Sequence, residues 1–411
     1  MDVVRLAIGL LAGLMATVLV VPEAMSLPRM SATSGAPCST CHYSPDGSGI
    51  RTEIGFGNQL DMAAFDYGDI GIGFLADQDT NKALDWLAVG GDIRIQTARP
   101  DPDFTFDADS GRSEVELADR RIFPMQFEPQ IAVFATDWLT FTGSWAMGPD
   151  IGDGDLCSGA YPGQMCGHAQ AVVRPGSGRP TVRAGMIRPN TGIQHDDHTM
   201  LVEADASRPD PTVIPPNYAE VGAEASYQPA HWFRADAGAF RSDQLADAIG
   251  DPEMVQASDP ALMARAAFYP RFDVGSDYSF YGWAGASVYG AGQFRGAGDF
   301  RMDQAFFGLG WLDQGSLMVE LAHLDFDTNP QRRALNASTT LSVEIYNWLI
   351  AEGRVEQATT FRDDSTDIRR SAIAGLQVYP LPFFKLRPEY RYTRTDQWEM
   401  GQYMVQLHLF Y

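Results

Sequence analysis

Five consecutive residues carry the clearest chemistry in this chain: Cys38-Ser39-Thr40-Cys41-His42. Two thiols separated by two residues and followed directly by an imidazole form the pattern of covalent haem attachment. Each thiol can form a thioether to a porphyrin vinyl, and the adjacent imidazole is placed to ligate the iron from one face. The surroundings argue against the competing chemistries. A structural zinc needs four ligands, usually a second CxxC or an HxxxH partner, and neither lies nearby. A redox dithiol expects a thioredoxin-like βαβ context, which does not follow. The motif therefore predicts one covalent haem c on Cys38 and Cys41, with His42 as proximal iron ligand. It leaves the reaction open, because haem chemistry depends on the second axial ligand and on access to the pocket. Met30, Met62 and His168 compete for that position with the histidines of the next cluster.

That cluster is His195-Asp196-Asp197-His198, preceded by Arg188-Pro189-Asn190-Thr191-Gly192. His195 and His198 with two carboxylates could hold iron, zinc or copper. The simpler expectation is a polar network that pins an inward-folded loop against arginines. Cys157 and Cys166 sit close together in a Gly- and Pro-containing stretch. In an oxidising compartment such a pair most simply forms a loop disulfide.

These residues are delivered outside the cytoplasm by the start of the chain. An apolar run from Leu6 to Val21 follows a short n-region, and Ala24-Met25-Ser26 supplies a small-x-small cleavage site. Residues 1–26 therefore read as a signal peptide, with the apolar run shorter than the ~20 residues a spanning helix needs. Lys and Arg total 30 against 53 Asp and Glu, a net charge of −23. A nucleic-acid partner is excluded on that balance. Aromatic residues reach 11% with no second long apolar run, which suits a membrane β-barrel, where only alternate residues face lipid.

The pattern from Leu87 onward has period two. Leu87, Val89, Gly91, Ile93 and Ile95 share one face, with Asp92, Arg94 and Gln96 on the other. At the C-terminus Tyr403, Val405, Leu407, Leu409 and Tyr411 alternate with Met404, Gln406, His408 and Phe410. Strands are expected at 87–97, 123–134, 138–147, 169–174, 181–188, 218–228, 231–241, 262–270, 280–290, 301–311, 315–325, 341–350, 353–361, 371–379, 383–393 and 402–411. That is sixteen, or fourteen if the short 169–174 segment and a partner are not strands. Tight aromatic-rich turns then fall on one side. Long polar connections at 98–121, 148–168, 190–217, 242–260 and 326–340 fall on the other, as in transmembrane barrels. Arg387, Glu389 and Arg391 alternate with Leu386, Pro388, Tyr390 and Tyr392, the mark of lumen charge paired across strands. The fold class is all-β: a transmembrane antiparallel barrel over 87–411, preceded by an irregular haem-binding segment over 27–86 inside or at the mouth of the barrel. Tight turns are expected after the axial histidine, at Asp46-Gly47-Ser48-Gly49 and Gly55-Phe56-Gly57.

With leader, haem motif and barrel in place, the chain resembles the fused cytochrome–porins of Gram-negative outer membranes. The resemblance rests on Cys38-Ser39-Thr40-Cys41-His42, the glycine-containing segment to Gly57, and the terminal aromatic strand. Gly185 to Thr199 and Leu376 to Tyr392 also look like segments of haem-bearing outer-membrane proteins. The resemblance implies electron transfer across or at the outer membrane, with Fe(II) as one external donor. It also implies a soluble cytochrome-like carrier as periplasmic partner and lipid around the barrel. The alternative is a porin for small solutes in which the haem segment is a plug, sensor or docking element.

Overall fold

A computed structural model describes residues 38–44, 47, 49–66, 68–69, 71, 81–107, 121–145, 167–176, 178–194, 197, 200–208, 211–214, 218–242, 244–245, 260–274, 278–291, 300–311, 314–326 and 331–411. The leader expected over 1–26, Met30, the Cys157–Cys166 pair, His195 and His198 lie outside the described residues.

Sixteen strands among the described residues close into one antiparallel ring. They are β1 (Leu87–Asp107), β2 (Arg121–Thr136), β3 (Leu139–Trp145), β4 (Gly167–Val173), β5 (Thr181–Ile187), β6 (Glu220–Ala230), β7 (Phe233–Phe240) and β8 (Ala261–Phe268), then β9 (Tyr278–Ala291), β10 (Phe300–Trp311), β11 (Gly315–Phe326), β12 (Arg332–Tyr346), β13 (Leu349–Arg362), β14 (Ser365–Leu381), β15 (Phe384–Thr395) and β16 (Trp398–Phe410). Each pairs with the next, and the ring closes where β16 meets β1, with Leu407 opposite Ile95. Two short strands lie beside the ring. Lys82–Leu84 folds back onto β1, and Arg271–Val274 continues β8 past Pro270 to pair with the start of β9. The shortest expected strand, β4, pairs on both sides, with β3 and β5.

The period-two pattern sorts the two faces. On β16, Tyr403 and Val405 are 55% and 42% exposed, whereas Met404, His408 and Phe410 are buried. On β1, Val89 and Ile95 face out while Arg94 and Gln96 are buried. An apolar exterior around a polar interior inverts the arrangement of a water-soluble protein. It is what lipid demands of a closed sheet, whose every ladder group is paired. No helix among the described residues is long and apolar enough to cross a membrane. Trp86, Trp138 and Trp232 are exposed at the tight-turn end, where amphipathic rings form an interfacial girdle.

Several boundaries differ from expectation, among them the end of β1, which runs on to Asp107 through the start of the expected connection 98–121. β12 begins at Arg332, its turn to β13 lies at Asn347-Trp348, and the connections at 363–364 and 396–397 are two-residue turns on the long-loop side. The inward positions of β12 are Ala334, Asn336, Ser338, Thr340 and Ser342, all buried. Small and polar on one face and only weakly apolar on the other, this stretch reads as a loop. Its ladders to β11 and β13 make it a strand.

Candidate functional site

The haem motif opens the described chain. Helix α1 (Cys38–Cys41) leads into His42, whose backbone bridges to Arg51 in antiparallel fashion. Between them Gly47 N donates to Ser44 O at 3.1 Å, while Asp46 and Ser48 of the expected turn lie outside the described residues. The second expected turn does not form: Gly55-Phe56-Gly57 lies inside helix α2 (Glu53–Leu60). Glycine costs a helix about 1 kcal/mol per residue, so other forces must set this one. Thr52 caps it, its Oγ1 accepting from Gly55 N at 3.2 Å and donating to Thr40 O at 2.6 Å, which ties α2 to α1. Gly55 is also required by proximity, since a Cβ there would collide with the Cys41 carbonyl oxygen.

Cys41 is buried, and its Sγ accepts from Asn58 Nδ2 at 3.8 Å. His42 Nδ1 lies 3.2 Å from Gly49 O. In the tautomer that donates there, Nε2 carries the lone pair a metal requires, as ligating histidines are usually arranged. Two thiols in one motif and an imidazole anchored through its other nitrogen fit the donor set of a thioether-linked haem. Cys38 would carry the second linkage; it opens α1. His168 sits on β4 opposite Ser144. Met62 is buried, its Sδ accepting from Gln59 Nε2 at 3.0 Å.

The segment is seated in the tight-turn end of the barrel. Phe56 is fully buried and packs on Phe383 at 4.6 Å and on Tyr411 at 5.7 Å between ring centroids. Met62, Ile350, Tyr379 and Phe410 complete that cluster. Ala64 N and Phe65 N donate to Tyr379 O and Pro380 O at 2.9 and 3.1 Å, and Asn347 Nδ2 donates to Asp61 O at 2.9 Å. On the adjoining strands β1 and β2, Ile50 packs with Ala88 and Ala132. Tyr43 packs on Phe134 at 4.7 Å, and Ser44 Oγ accepts from Gln170 Nε2 at 3.1 Å. Burial of Phe56, Ile50 and Met62 stabilises this docking by roughly 1.5–3 kcal/mol each. At the rim, Lys82 Nζ meets Glu53 Oε1 at 2.7 Å. That contact holds the Glu53 carboxyl below, and the Lys82 ammonium above, its ordinary range.

Higher in the lumen, the connection 188–214 between β5 and β6 turns inward. A buried loop must find partners for its backbone, and inward side chains of the wall supply them. Asn190 N donates to Glu224 Oε2 at 3.1 Å, Gly192 N to Ser287 Oγ at 2.9 Å and Ile193 N to Glu320 Oε1 at 2.9 Å. Leu201 N donates to Glu356 Oε1 at 3.3 Å and Ala206 N to Thr360 Oγ1 at 2.8 Å. Asn336 Nδ2 donates to the carbonyls of Val202 and Ala204 at 3.1 and 2.7 Å. Glu224 is itself held by Arg183 through two bonds of 3.1 and 3.0 Å. At Gly192, φ is +47° and a Cβ would run into Glu320 Oε1. Met200, Val202, Val213 and Ile214 pack in one cluster with Phe240, Met263, Phe300 and Met302 from the wall, so this side of the lumen is filled.

The loop presents Asp197 to an arginine cluster. Asp197 Oδ2 lies 2.6 Å from Arg354 Nη2, 3.4 Å from Arg391 Nη2 and 3.6 Å from Arg387 Nη2. Arg387 also meets Glu352 at 3.0 Å and Glu389 at 3.1 Å, Arg391 meets Glu389 at 2.8 Å, and Arg354 meets Glu356 at 3.5 Å. The alternation at 387–391 thus yields charge paired across strands, and the inward loop meets arginines as expected of a pinning network. Among the described residues no group of three His, Cys, Asp or Glu could hold a metal ion. Glu224, Glu320, Asn336 and Glu356 were not singled out from the sequence. Their one signal is a polar residue at an inward strand position, which many wall residues share.

No family model and no curated protein sequence matches the chain. Solved structures do. The high-pH structure of Pseudomonas putida OprB aligns over 84% of this chain and 97% of its own, with TM-score 0.51 and 10% identity. An anion-selective porin from Comamonas acidovorans aligns over 79% of this chain and 99% of its own, with TM-score 0.50 and 9% identity. At such identities the likeness is one of fold, and the fold is that of an outer-membrane porin: a closed sixteen-stranded antiparallel barrel.

Proposed function

We propose that the chain is an outer-membrane, porin-like channel for small solutes, with a haem-bearing N-terminal segment as the plug of its periplasmic mouth. The observation that carries this reading is the seating of the N-terminal segment against the inner wall of the tight-turn end, along the neighbouring strands from β13 through β16 and β1 to β4, anchored by Phe56. In this reading the inward loop narrows the lumen from above, and the plug restricts it from below. Solutes that pass are small and polar, since the wall beside Asp197 consists of paired charges. The test is conductance of the purified protein in planar bilayers, with and without Phe56→Ala. A plug predicts larger unitary conductance in the variant. Equal conductance, or no channels from either protein, overturns the reading.

A second reading, electron transfer through one covalent haem c, is favoured by the anchoring of His42 beside Gly49. When bound, the haem would supply one-electron chemistry. Cys38 and Cys41 would tether it, and His42 would ligate its iron. A periplasmic carrier protein and an external donor such as Fe(II) are the partners this reading calls for. Protein in sealed liposomes, with reductant outside and an oxidised dye inside, tests it. Dye reduction dependent on Cys38 and Cys41 supports transfer, and dye that stays oxidised overturns it.

A further inference from the structure

Arg174 follows β4 directly at the tight-turn end, its backbone N–H donating to Trp138 O at 2.7 Å. Its guanidinium lies over the ring of Tyr43, with Cζ 5.8 Å from the centroid, one residue beyond His42. Other arginines inside this barrel meet carboxylates: Arg183 with Glu224, Arg234 with Asp236, Arg387 with Glu352, Arg391 with Glu389. Arg174 has no carboxylate partner among the described residues, and its Nη2 is buried without a hydrogen bond. Burial pushes the guanidinium's pKa down, with the Tyr43 phenol acting in the opposite direction. Buried charges are normally paired, because desolvation is otherwise uncompensated.

Two further polar groups in this region lack partners. Asn81 is 2% exposed, and both its Nδ2 and its Oδ1 are buried without a hydrogen bond. Gln170 is 8% exposed; its Nε2 is used by Ser44, while its Oε1 has no partner. All three border one neighbourhood. Gln170 reaches Ser44 and Arg174 covers Tyr43. Tyr43 packs on Phe134, over which Lys82, the residue after Asn81, also lies at 5.5 Å. A cation and an amide donor without partners, next to the haem motif, suit a carboxylate that arrives with a cofactor. A guanidinium accepts such a group in bidentate fashion.

We propose that Arg174 forms the anion subsite for a propionate carboxylate of the porphyrin tethered at Cys38 and Cys41, with the Asn81 amide N–H as a second donor. The inference rests on the covalent-haem reading. No bond is made or broken; an ion pair replaces an uncompensated charge. The Arg174 cation then favours the reduced haem, which carries one positive charge fewer.

The experiment uses the full chain purified in detergent. Peroxidase staining on a denaturing gel first establishes covalent haem, and spectroelectrochemical titration then gives its potential. Arg174→Gln is expected to lower the reduction equilibrium constant about tenfold, which is ~59 mV for one electron, while Arg174→Lys stays within about threefold of the parent. If Arg174→Gln does not give a heat-modifiable barrel, Asn81→Leu serves in its place, with a shift of the same sign. Haem attached at an unchanged potential in the variant overturns the subsite and leaves the haem reading standing. No covalent haem in the parent protein overturns both. A parent potential that moves with added inorganic phosphate at constant ionic strength would mean the cation is open to solution anions, and would also overturn the subsite.

Discussion

Asp197→Asn separates two jobs that the inward loop could perform, holding itself in place and setting the charge of the passage. At the 2.6–3.6 Å contacts made by Asp197, the Coulomb attraction of one ion pair is about 5–6 kcal/mol in a medium of effective dielectric ~20. Asparagine keeps the shape and part of the hydrogen bonding, so the loss is nearer the 1.5–3 kcal/mol of a charged hydrogen bond. Against this stand the backbone bonds from Asn190, Gly192, Ile193, Leu201 and Ala206 to the wall, about 1 kcal/mol each. Burial of Met200, Val202, Val213 and Ile214 adds roughly 1.5–3 kcal/mol per side chain. The loop therefore stays, and the electrostatic consequence dominates. Four carboxylates (Asp197, Glu352, Glu356, Glu389) face three guanidiniums (Arg354, Arg387, Arg391) in the parent cluster, and the substitution makes the count three to three. In planar bilayers under a KCl gradient, the reversal potential of Asp197→Asn should shift towards anions, with unitary conductance changed by less than about twofold. An unchanged reversal potential would show that Asp197 does not face the ion path. A several-fold rise in conductance would show that the loop had been released and that the comparison of anchors above is wrong.

Other perturbations test the seat and the wall. Phe56→Ala should weaken docking of the segment by about 3–5 kcal/mol, seen as faster proteolysis between α2 and β1 at unchanged barrel heat-modifiability. Gly55→Val should lower the yield of covalent haem on peroxidase-stained gels, because its side chain strikes the Cys41 carbonyl; Gly57→Ala, with open space at its Cβ, should not. The Glu53–Lys82 pair lowers the pKa of Glu53 in the folded state. Its contribution is complete above the ordinary carboxylate pKa and is lost as pH falls through the lowered value. As an exposed pair it is worth under about 1 kcal/mol, so Glu53→Gln should abolish only a small acid-side decline in protease resistance of the segment. Val405→Arg places a charge on the lipid face and should cost about 2–4 kcal/mol near the bilayer midplane, reducing the folded band in refolding assays. Gln406→Arg, on the inward face, should refold like the parent.

The barrel was legible because its strands carry the signal twice over, in alternation and in turn placement. β16 and β1 show both; β16 and the start of β1 came out close to expectation, while β1 runs on to Asp107, ten residues past its expected end. β12 shows neither. Arg333, Leu335, Ala337 and Thr339 look outward without a consistent apolar stripe, and the small inward residues leave room for the loop that crosses them. Only the long-range register with β11 and β13 identifies the strand, and a window of sequence does not contain it. The same limit explains α2. Two glycines in eight residues argue for a turn, whereas the Thr52 cap and the burial of Phe56 against residues more than 300 positions later decide for a helix. In the lumen, arginines at 387 and 391 announced themselves by alternation. Glu224, Glu320 and Asn336 gain meaning only from the loop backbone that reaches them.

The aromatic seat of Phe56 is assembled from Ile350, Tyr379, Phe383, Phe410 and Tyr411, the closing quarter of the polypeptide. The receptor for the N-terminal segment is thus made by residues about 300 positions downstream of it. Full lodging needs both Phe410 and Tyr411 at the end of β16 and Ala88 on β1, which are brought together only when β16 pairs with β1. That seating would then serve as a timestamp, distinguishing finished cylinders from those still open at the seam.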